Sequence, residues 1–323
     1  DYVTCKDWSH LWLNEGFATY YEKLYDGHRN GRDALLYNLY GTARGILRDR
    51  PDEKPIVWRG YGDAGEQFDY RSYSKGGWVL HMLRTELGEE LFRRCIKTYM
   101  ERNPLCCVET ADLGEVVEEL SGRSFDRFFD QWVYHAGFPK LAVSYKWLGA
   151  DKLARVSVKQ TQRTDGNVLL FHLRTKLRFV VNGQPIDKDI TIDQREHDFY
   201  IPLEREPRIV RFDPEYGLLA QVTFDLPTEM LYAQLADQND VVGRLLALEV
   251  LKEKKDKQTV ARLQSCLNED SFWGVRVTAA DALQDIHTDE AFAALVASRQ
   301  QTDARVRLRV VASIGRFYRP ETL

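Results

Sequence analysis

The sequence predicts a multidomain α+β protein in three successive parts: a helical part over residues 1–138, a small β-sandwich over 139–226 and an α-solenoid over 227–323. Three observations carry this expectation. Before Pro139, apolar residues recur close to a 3.6-residue period, the spacing of helices with one buried face. Over the next stretch, of about 85 residues, apolar and polar residues alternate with period two, the spacing of strands. Beyond Pro227 a segment repeats at an offset of 32 residues.

In the helical part, "SKGGWVLHMLRTELGEELFRRCIKTYMERN" (74–103) places Val79, Leu80, Met82, Leu83, Leu87, Leu91, Phe92 and Ile96 on a helical repeat. "TADLGEVVEELSG" (110–122) begins with Thr110 as N-cap and Asp112 in the first turn, and stops at Gly122. "SFDRFFDQWVYHAG" (124–137) reads as a further short helix ended by Gly137 and Pro139. Between the helices, residues 48–70 are rich in Pro, Gly and Asp and read as a long ordered loop.

The strand pattern is carried by "LAVSYKWL", "LARVSVKQTQ", "LRTKLRFVV", "DITIDQ", "HDFYIPL" and "LAQVTFDL", with Asn182-Gly183 as a hairpin signal. Six or seven short strands in this length predict a sandwich. In the last part, "GRLLALEVL" (243–251) aligns with "VRVTAADAL" (275–283), so that Arg244, Ala247 and Leu251 fall on Arg276, Ala279 and Leu283. A third copy, "LRVVASIG" (308–315), aligns Arg309 and Ala312 at an offset of 33. A period of this length with small residues at close-packing positions is similar to HEAT repeats. The last repeat is expected to be incomplete and without its cap.

Composition is that of a soluble protein, 44% hydrophobic and 29% charged. A net charge of −4 and a pI near 6.0 argue against nucleic acid or an anionic membrane surface as a partner. No apolar run reaches 18 residues, so no membrane-spanning helix is expected. The chain opens on Asp1 inside patterned sequence. Cys5, Cys95, Cys106, Cys107 and Cys266 are sparse, odd in number and without a CxxC pair, which fits reduced thiols and a cytoplasmic location. The pair Cys106-Cys107 reads as core or loop thiols.

One carboxylate needs an explanation. In "LWLNEGFATYYE" (11–22), Glu15 is surrounded by Leu11, Trp12, Leu13, Phe17 and Ala18. A helix glutamate is ordinarily solvent-facing, because a bare buried carboxylate is costly. The apolar neighbours leave little room for a polar face, and ligation to a metal is another way to stabilise such a group. His10 is a poor co-ligand, since five residues along a helix turn the two side chains roughly 140° apart.

At this point the sequence resembles a known family. "VTCKDWSHLWLNEGFATYYEKL" is similar to the segment that follows the zinc-binding helix in the aminopeptidase N family of zinc metallopeptidases (gluzincins). There a helix carries HExxH, and a Glu in an NEGFA context, eighteen residues beyond, completes the zinc site. Asn14-Glu15-Gly16-Phe17-Ala18 matches that context letter for letter. The resemblance implies that Glu15 is the third zinc ligand and that residues 1–138 are the C-terminal helical part of a thermolysin-like catalytic domain. None of the seven histidines begins an HExxH; by the family spacing the ligand histidines fall five and nine positions before Asp1. Zinc is the implied cofactor of the parent protein, with an incomplete site in this chain.

"YSKGGWVLHMLRTELGEELF" (73–92) is similar to the family's Y-x-K-G segment, here 58 residues after Glu15. By itself Tyr73 reads as an ordinary core tyrosine, one of 16 and three positions from Tyr70. The resemblance implies that it donates a hydrogen bond to the oxyanion of the tetrahedral intermediate, a role in which charge is met only as it develops. "DLGEVVEELSGRSFDRFFDQWVYHAGFPKLAV" (112–143) resembles the end of the catalytic domain, and Phe128, Phe129 and Trp132 are expected to dock it on the β-domain.

Two functions follow. In the first, the parent is a zinc aminopeptidase acting on peptide substrates, and this chain alone is inactive. The family's GxMEN motif, which reads the substrate amino group, is absent here, so exopeptidase specificity is implied by resemblance alone. In the second, the parent is a non-catalytic peptidase-like scaffold whose helical repeats bind proteins. The presence of both Glu15 and Tyr73 favours the first. In this chain Glu15 is expected to be hydrated or paired with a neighbouring cation.

Overall fold

A computed structural model describes residues 2–48 and 54–319. The helical part opens with a two-residue strand β1 (Thr4–Cys5) and a 3-10 turn at Trp8–His10, capped by the Asp7 carboxylate on the Ser9 amide at 2.8 Å. Helices α1 (Trp12–Asn30) and α2 (Arg32–Ile46) follow, and Gly31, at φ of 92°, turns the chain between them. After a mostly irregular stretch over 54–70, a π-turn (Arg71–Lys75) leads directly into α3 (Gly76–Leu87), then α4 (Glu89–Arg102). Strand β2 (Cys107–Val108) pairs parallel with β1, and α5 (Thr110–Ser121) and α6 (Asp126–Phe129) complete this part, α6 running into a second π-turn at Asp130–Tyr134.

Several local expectations are corrected. The pattern over 74–103 is two helices, because Gly88 sits at φ of 78° and breaks the hydrogen-bond ladder; the apolar period continues across the break. The N-cap of α5 is Glu109, in a reciprocal capping box with Asp112, and Thr110 is the first helical residue. The Thr110 hydroxyl instead faces His10 Nδ1 and Trp12 Nε1, each at 3.0 Å, so tertiary contact took the side chain that capping would have used. Gly122 does end α5, at φ of 66°. Part of the expected loop, residues 49–53, lies outside the described residues.

The β-sandwich has one sheet of four strands and one of three. Its strands are β3 (Lys140–Leu148), β4 (Leu153–Gln160), β5 (Leu173–Val181), β6 (Gln184–Ile192), β7 (Glu196–Pro202), β8 (Ile209–Phe212) and β9 (Gln221–Asp225). The orders are β7-β4-β3-β9 and β6-β5-β8, with β3 and β9 parallel. Asn182-Gly183 makes the β5–β6 hairpin with both residues at positive φ, 52° and 77°. Strand β8 escapes the period-two criterion because all four of its residues are buried. Trp132 meets Phe171 of the sandwich at 5.1 Å between ring centres, and Phe129 lies against Gly114 of α5 and the Phe128 ring.

The third part consists of α7 (Thr228–Leu235), α8 (Val241–Leu251), α9 (Lys257–Glu269), α10 (Trp273–Ile286), α11 (Asp289–Ala297) and α12 (Ala304–Gly315). The aligned alanines Ala247 and Ala279 are buried, but Ala312 is exposed with Leu308 and Val311 on the outer face of α12. Helix α8 also packs on α2: the Tyr40 hydroxyl donates to Glu249 at 2.6 Å and Arg44 pairs with the same carboxylate at 3.0 Å. Arg211 of β8 pairs with Asp240, the N-cap of α8, at 2.6 Å, so the repeats are clamped to both preceding parts.

His81 of α3 binds the helical part to the sandwich side. Its Nε2 donates to the Tyr216 carbonyl at 3.0 Å and its Nδ1 accepts from the Tyr20 hydroxyl at 3.1 Å. Burial, reinforced by Arg84 and Arg32 and only partly opposed by the Tyr216 carbonyl, lowers its pKa from 6.5 to about 4. Between these values the unfolded chain takes up a proton that the native state refuses, so this group's contribution is lost as pH falls. Unfolding free energy is expected to drop by about 2 kcal/mol from this site between pH 7 and pH 5. Urea titrations at the two pH values check this, and His81→Gln is expected to remove that share of the pH dependence.

Candidate functional site

Glu15 lies on the first turn of α1 and Tyr73 in the middle of the π-turn, and the fold brings them together. The close approach is made by glycines. A Cβ on Gly16 would lie 2.9 Å from the carbonyl carbon of Gly76, a separation that real side chains do not tolerate. Gly76 in turn sits against the Trp12 Cβ and the Gly16 Cα. The glycines of NEGFA and of Y-S-K-G therefore interlock, and α1 crosses the start of α3 at the contact that sets their neighbours side by side.

The Tyr73 hydroxyl lies within electrostatic reach of the Glu15 carboxylate. Its pKa is raised, first by desolvation and then by the nearby Glu15 carboxylate. Glu15 is half-buried. Among the described residues no cation pairs with Glu15, and the Tyr73 phenol is a polar neighbour that the sequence reading did not place there. The reason is tertiary, since the residues are 58 positions apart and meet through the glycine crossing.

The surroundings hold this pair from both sides. Asn14 accepts from the Cys5 amide at 2.9 Å, tying β1 to α1. Under the π-turn, the buried Arg71 guanidinium donates to Asp69 at 2.7 Å, to the Pro55 carbonyl at 3.1 Å and to the Glu66 carbonyl at 3.0 Å. Ser72 donates to the Gln67 carbonyl at 2.7 Å. The extra residue of a π-turn changes side-chain register. Here it buries Arg71, Ser72 and Lys75 on one side and leaves Tyr73 directed to α1. Sequence reading assigned no role to Asn14, Arg71 or Ser72; the available signal was polar residues inside otherwise apolar motif helices.

His10 is buried, and its Nδ1 accepts from the Thr110 amide at 3.1 Å, with its pKa lowered by burial. It is a structural neighbour of α5. A cleft of about 630 Å³ runs beside the π-turn, between α2 and the repeat helices, lined by Tyr70, Ser74, Arg44, Asp281 and Arg309. Glu15 and Tyr73 are not among its lining residues. All five cysteines are free thiols.

Among the described residues, no three His, Cys, Asp or Glu side chains converge on a point that could hold a metal. Catalytic zinc takes three protein ligands and a water. The described residues therefore do not by themselves fit the ion, and Glu15 is the ligand among them that the family resemblance implies. Among the described residues, no helix is long and apolar enough to cross a membrane.

A sequence model of the Peptidase family M1 domain matches residues 1–132, and one of HEAT repeats matches 228–322. The chain is 33% identical over 148 residues to "Aminopeptidase M1-C" of Oryza sativa subsp. japonica, covering 45% of this chain and 17% of that protein. It is 32% identical over 151 residues to "Tricorn protease-interacting factor F2" of Thermoplasma volcanium, covering 45% and 19%. It is 29% identical over 195 residues to "Leucyl aminopeptidase" of Saccharolobus solfataricus, covering 57% and 23%. The matches thus span about a fifth of these relatives' length. The fold is shared with Legionella pneumophila aminopeptidase A, solved in complex with aspartic acid, at a TM-score of 0.74 and 16% identity, over 100% of this chain and 43% of that one. Residues 1–132 thus match the Peptidase family M1 domain, and the chain shares its fold with an aminopeptidase structure, as a helical part followed by β-sheets and HEAT repeats.

Proposed function

We propose that this chain is part of a zinc-dependent aminopeptidase that removes N-terminal residues from peptides, and that the chain alone is inactive. The observation that carries the reading is the approach of Tyr73 to Glu15 across the Gly16–Gly76 crossing. Two motifs that resemblance assigns to one active site are thereby neighbours in space. Glu15 would be one ligand of a zinc ion held in the longer protein. Tyr73 would donate its phenolic proton in a hydrogen bond to the oxyanion that forms as the peptide carbonyl is attacked. The relatives named aminopeptidases support peptides as substrates.

The test compares hydrolysis of a panel of aminoacyl amides by this chain and by a version extended upstream through the two-histidine helix. Activity is expected in the extended version only, lost on chelation and restored by zinc. An extended, zinc-loaded protein without activity would move the reading to the peptidase-like scaffold.

A further inference from the structure

Helix α12 carries apolar residues on two opposite faces. Val306, Val310, Ser313 and Phe317 are buried, while Ala304, Leu308, Val311, Ala312 and Gly315 are exposed. A surface helix ordinarily has a single apolar stripe, and a second one asks for a cover. Leu308 and Val311 are 73% and 60% exposed.

The packed repeats show what such a stripe does. The N-caps of α8, α10 and α12 are Asp240, Phe272 and Asp303, 32 and 31 positions apart. At that spacing the buried sides coincide: Val275, Ala279, Ala282 and Ile286 of α10 fall on Val306, Val310, Ser313 and Phe317. The packed register is two residues shorter than the sequence alignment. In it, Leu245 and Leu248 of α8 and Val277 and Ala280 of α10 correspond to Leu308 and Val311. Those four are buried, on helices that each have a following helix packed against them, α10 on α8 and α12 on α10. Among the described residues no helix follows α12.

A polar contact repeats with the stripe. Arg244 pairs with Asp270 at 2.8 Å, and Arg276 donates to the Gln301 side chain. Each acceptor lies two residues before the N-cap of the following helix. Arg307 holds the same position on α12. It donates to the Gln301 and Thr302 carbonyls of its own repeat, at 2.6 and 2.9 Å, and is exposed. The rim of the stripe is unlike that of α10: Arg305, Arg309 and Arg316 stand where α10 has Gly274, Thr278 and Asp285. All three are exposed, although Arg305 pairs with Asp303 and Arg309 with Asp281. Residues 303–319 hold five arginines and one acid, in a chain of net charge −4. An apolar centre inside an arginine rim is the composition of an interface that forms and separates, whereas a permanent contact is more apolar.

We propose that this face of α12 docks an acidic amphipathic helix of a second protein, stacked on α12 as α10 is stacked on α8. Its apolar side covers Leu308 and Val311, and a carboxylate two residues ahead of its N-cap reaches Arg307. Its other acidic groups meet the arginine rim, which sets orientation and speeds encounter.

The probe is a fluorescein-labelled synthetic peptide of residues 268–287, the segment that packs on α8. It carries four acidic residues and one arginine, with Asp270 in the required place and Val275, Ala279, Ala282 and Ile286 as its apolar side. Fluorescence anisotropy with the full chain is expected to show saturable binding below about 1 mM, weakened by salt. The double variant Leu308→Glu/Val311→Glu changes exposed positions, so its circular dichroism is expected to be unchanged and its binding at least about 10-fold weaker. Asp270→Asn in the peptide and Arg307→Met in the chain are each expected to cost about 3-fold, and no more when combined. Absence of saturable binding, equal binding of a scrambled peptide, or indifference to the double variant would overturn the proposal. So would any other occupant of the face. A second copy would show as dimerisation in sedimentation that Leu308→Glu abolishes. A membrane would show as binding to phosphatidylserine vesicles through the same residues. A further segment of the longer protein would show as a Val311→Cys thiol shielded from maleimide with no partner added.

Discussion

Replacing Asp270 by alanine is expected to destabilise the helical repeats by about 3–5 kcal/mol, the cost of leaving a buried charge without its partner. Arg244 of α8 and Asp270, just before α10, form an ion pair at 2.8 Å with side chains that are 0% and 1% exposed. Burial pushes the Asp270 carboxyl up despite the attraction of Arg244, which shows how much desolvation the pair has to offset. Asp270 also accepts from the Phe272 amide at 2.8 Å, and Arg244 donates to the Asp237 carbonyl at 2.7 Å, so the pair joins three segments of adjacent repeats. Urea unfolding followed by circular dichroism measures the loss, and a change under about 1 kcal/mol would contradict it. The double variant Arg244→Met/Asp270→Leu is expected to recover most of the stability, because apolar residues of similar size replace a buried pair at little cost.

In the extended, zinc-loaded protein, Tyr73→Phe is expected to lower kcat by about 10²–10³-fold with little change in KM. The substitution removes one hydroxyl and leaves the ring and the π-turn in place. An interaction made only as the oxyanion develops stabilises the transition state and not the bound substrate, so its loss falls on turnover. Steady-state kinetics on an aminoacyl amide separates the two parameters. A rise in KM at constant kcat would instead assign Tyr73 to substrate binding. Because the phenol lies close to Glu15, the variant's metal content is measured alongside, so that a loss of zinc is not read as a loss of oxyanion stabilisation.

Where one pattern had one structural solution, the sequence was sufficient. Strand β5 follows its alternating run, Asn182-Gly183 makes the hairpin, and Gly122 ends α5. The arginines at the repeat position were legible as a series, but their partners were not. Arg244 pairs with Asp270, Arg276 with the Leu267 carbonyl and Gln301, and Arg309 with Asp281 on the preceding repeat. Periodicity reports which face of a helix is buried and is silent on what lies opposite. For the same reason β8 went unseen, its four residues being buried on both faces.

By itself the sequence determined the order of helical part, sandwich and repeats, and it singled out Glu15 and Tyr73 through short motifs whose spacing is local. Tertiary structure alone decided that these two residues come together across the Gly16–Gly76 crossing, and that the Lys75 side chain reaches the Gly137 carbonyl. The physical reason lies in the contacts concerned. A glycine crossing between helices and a side-chain bond to a distant carbonyl leave no periodic trace in the chain, because each depends on the approach of two backbones rather than on the preference of either.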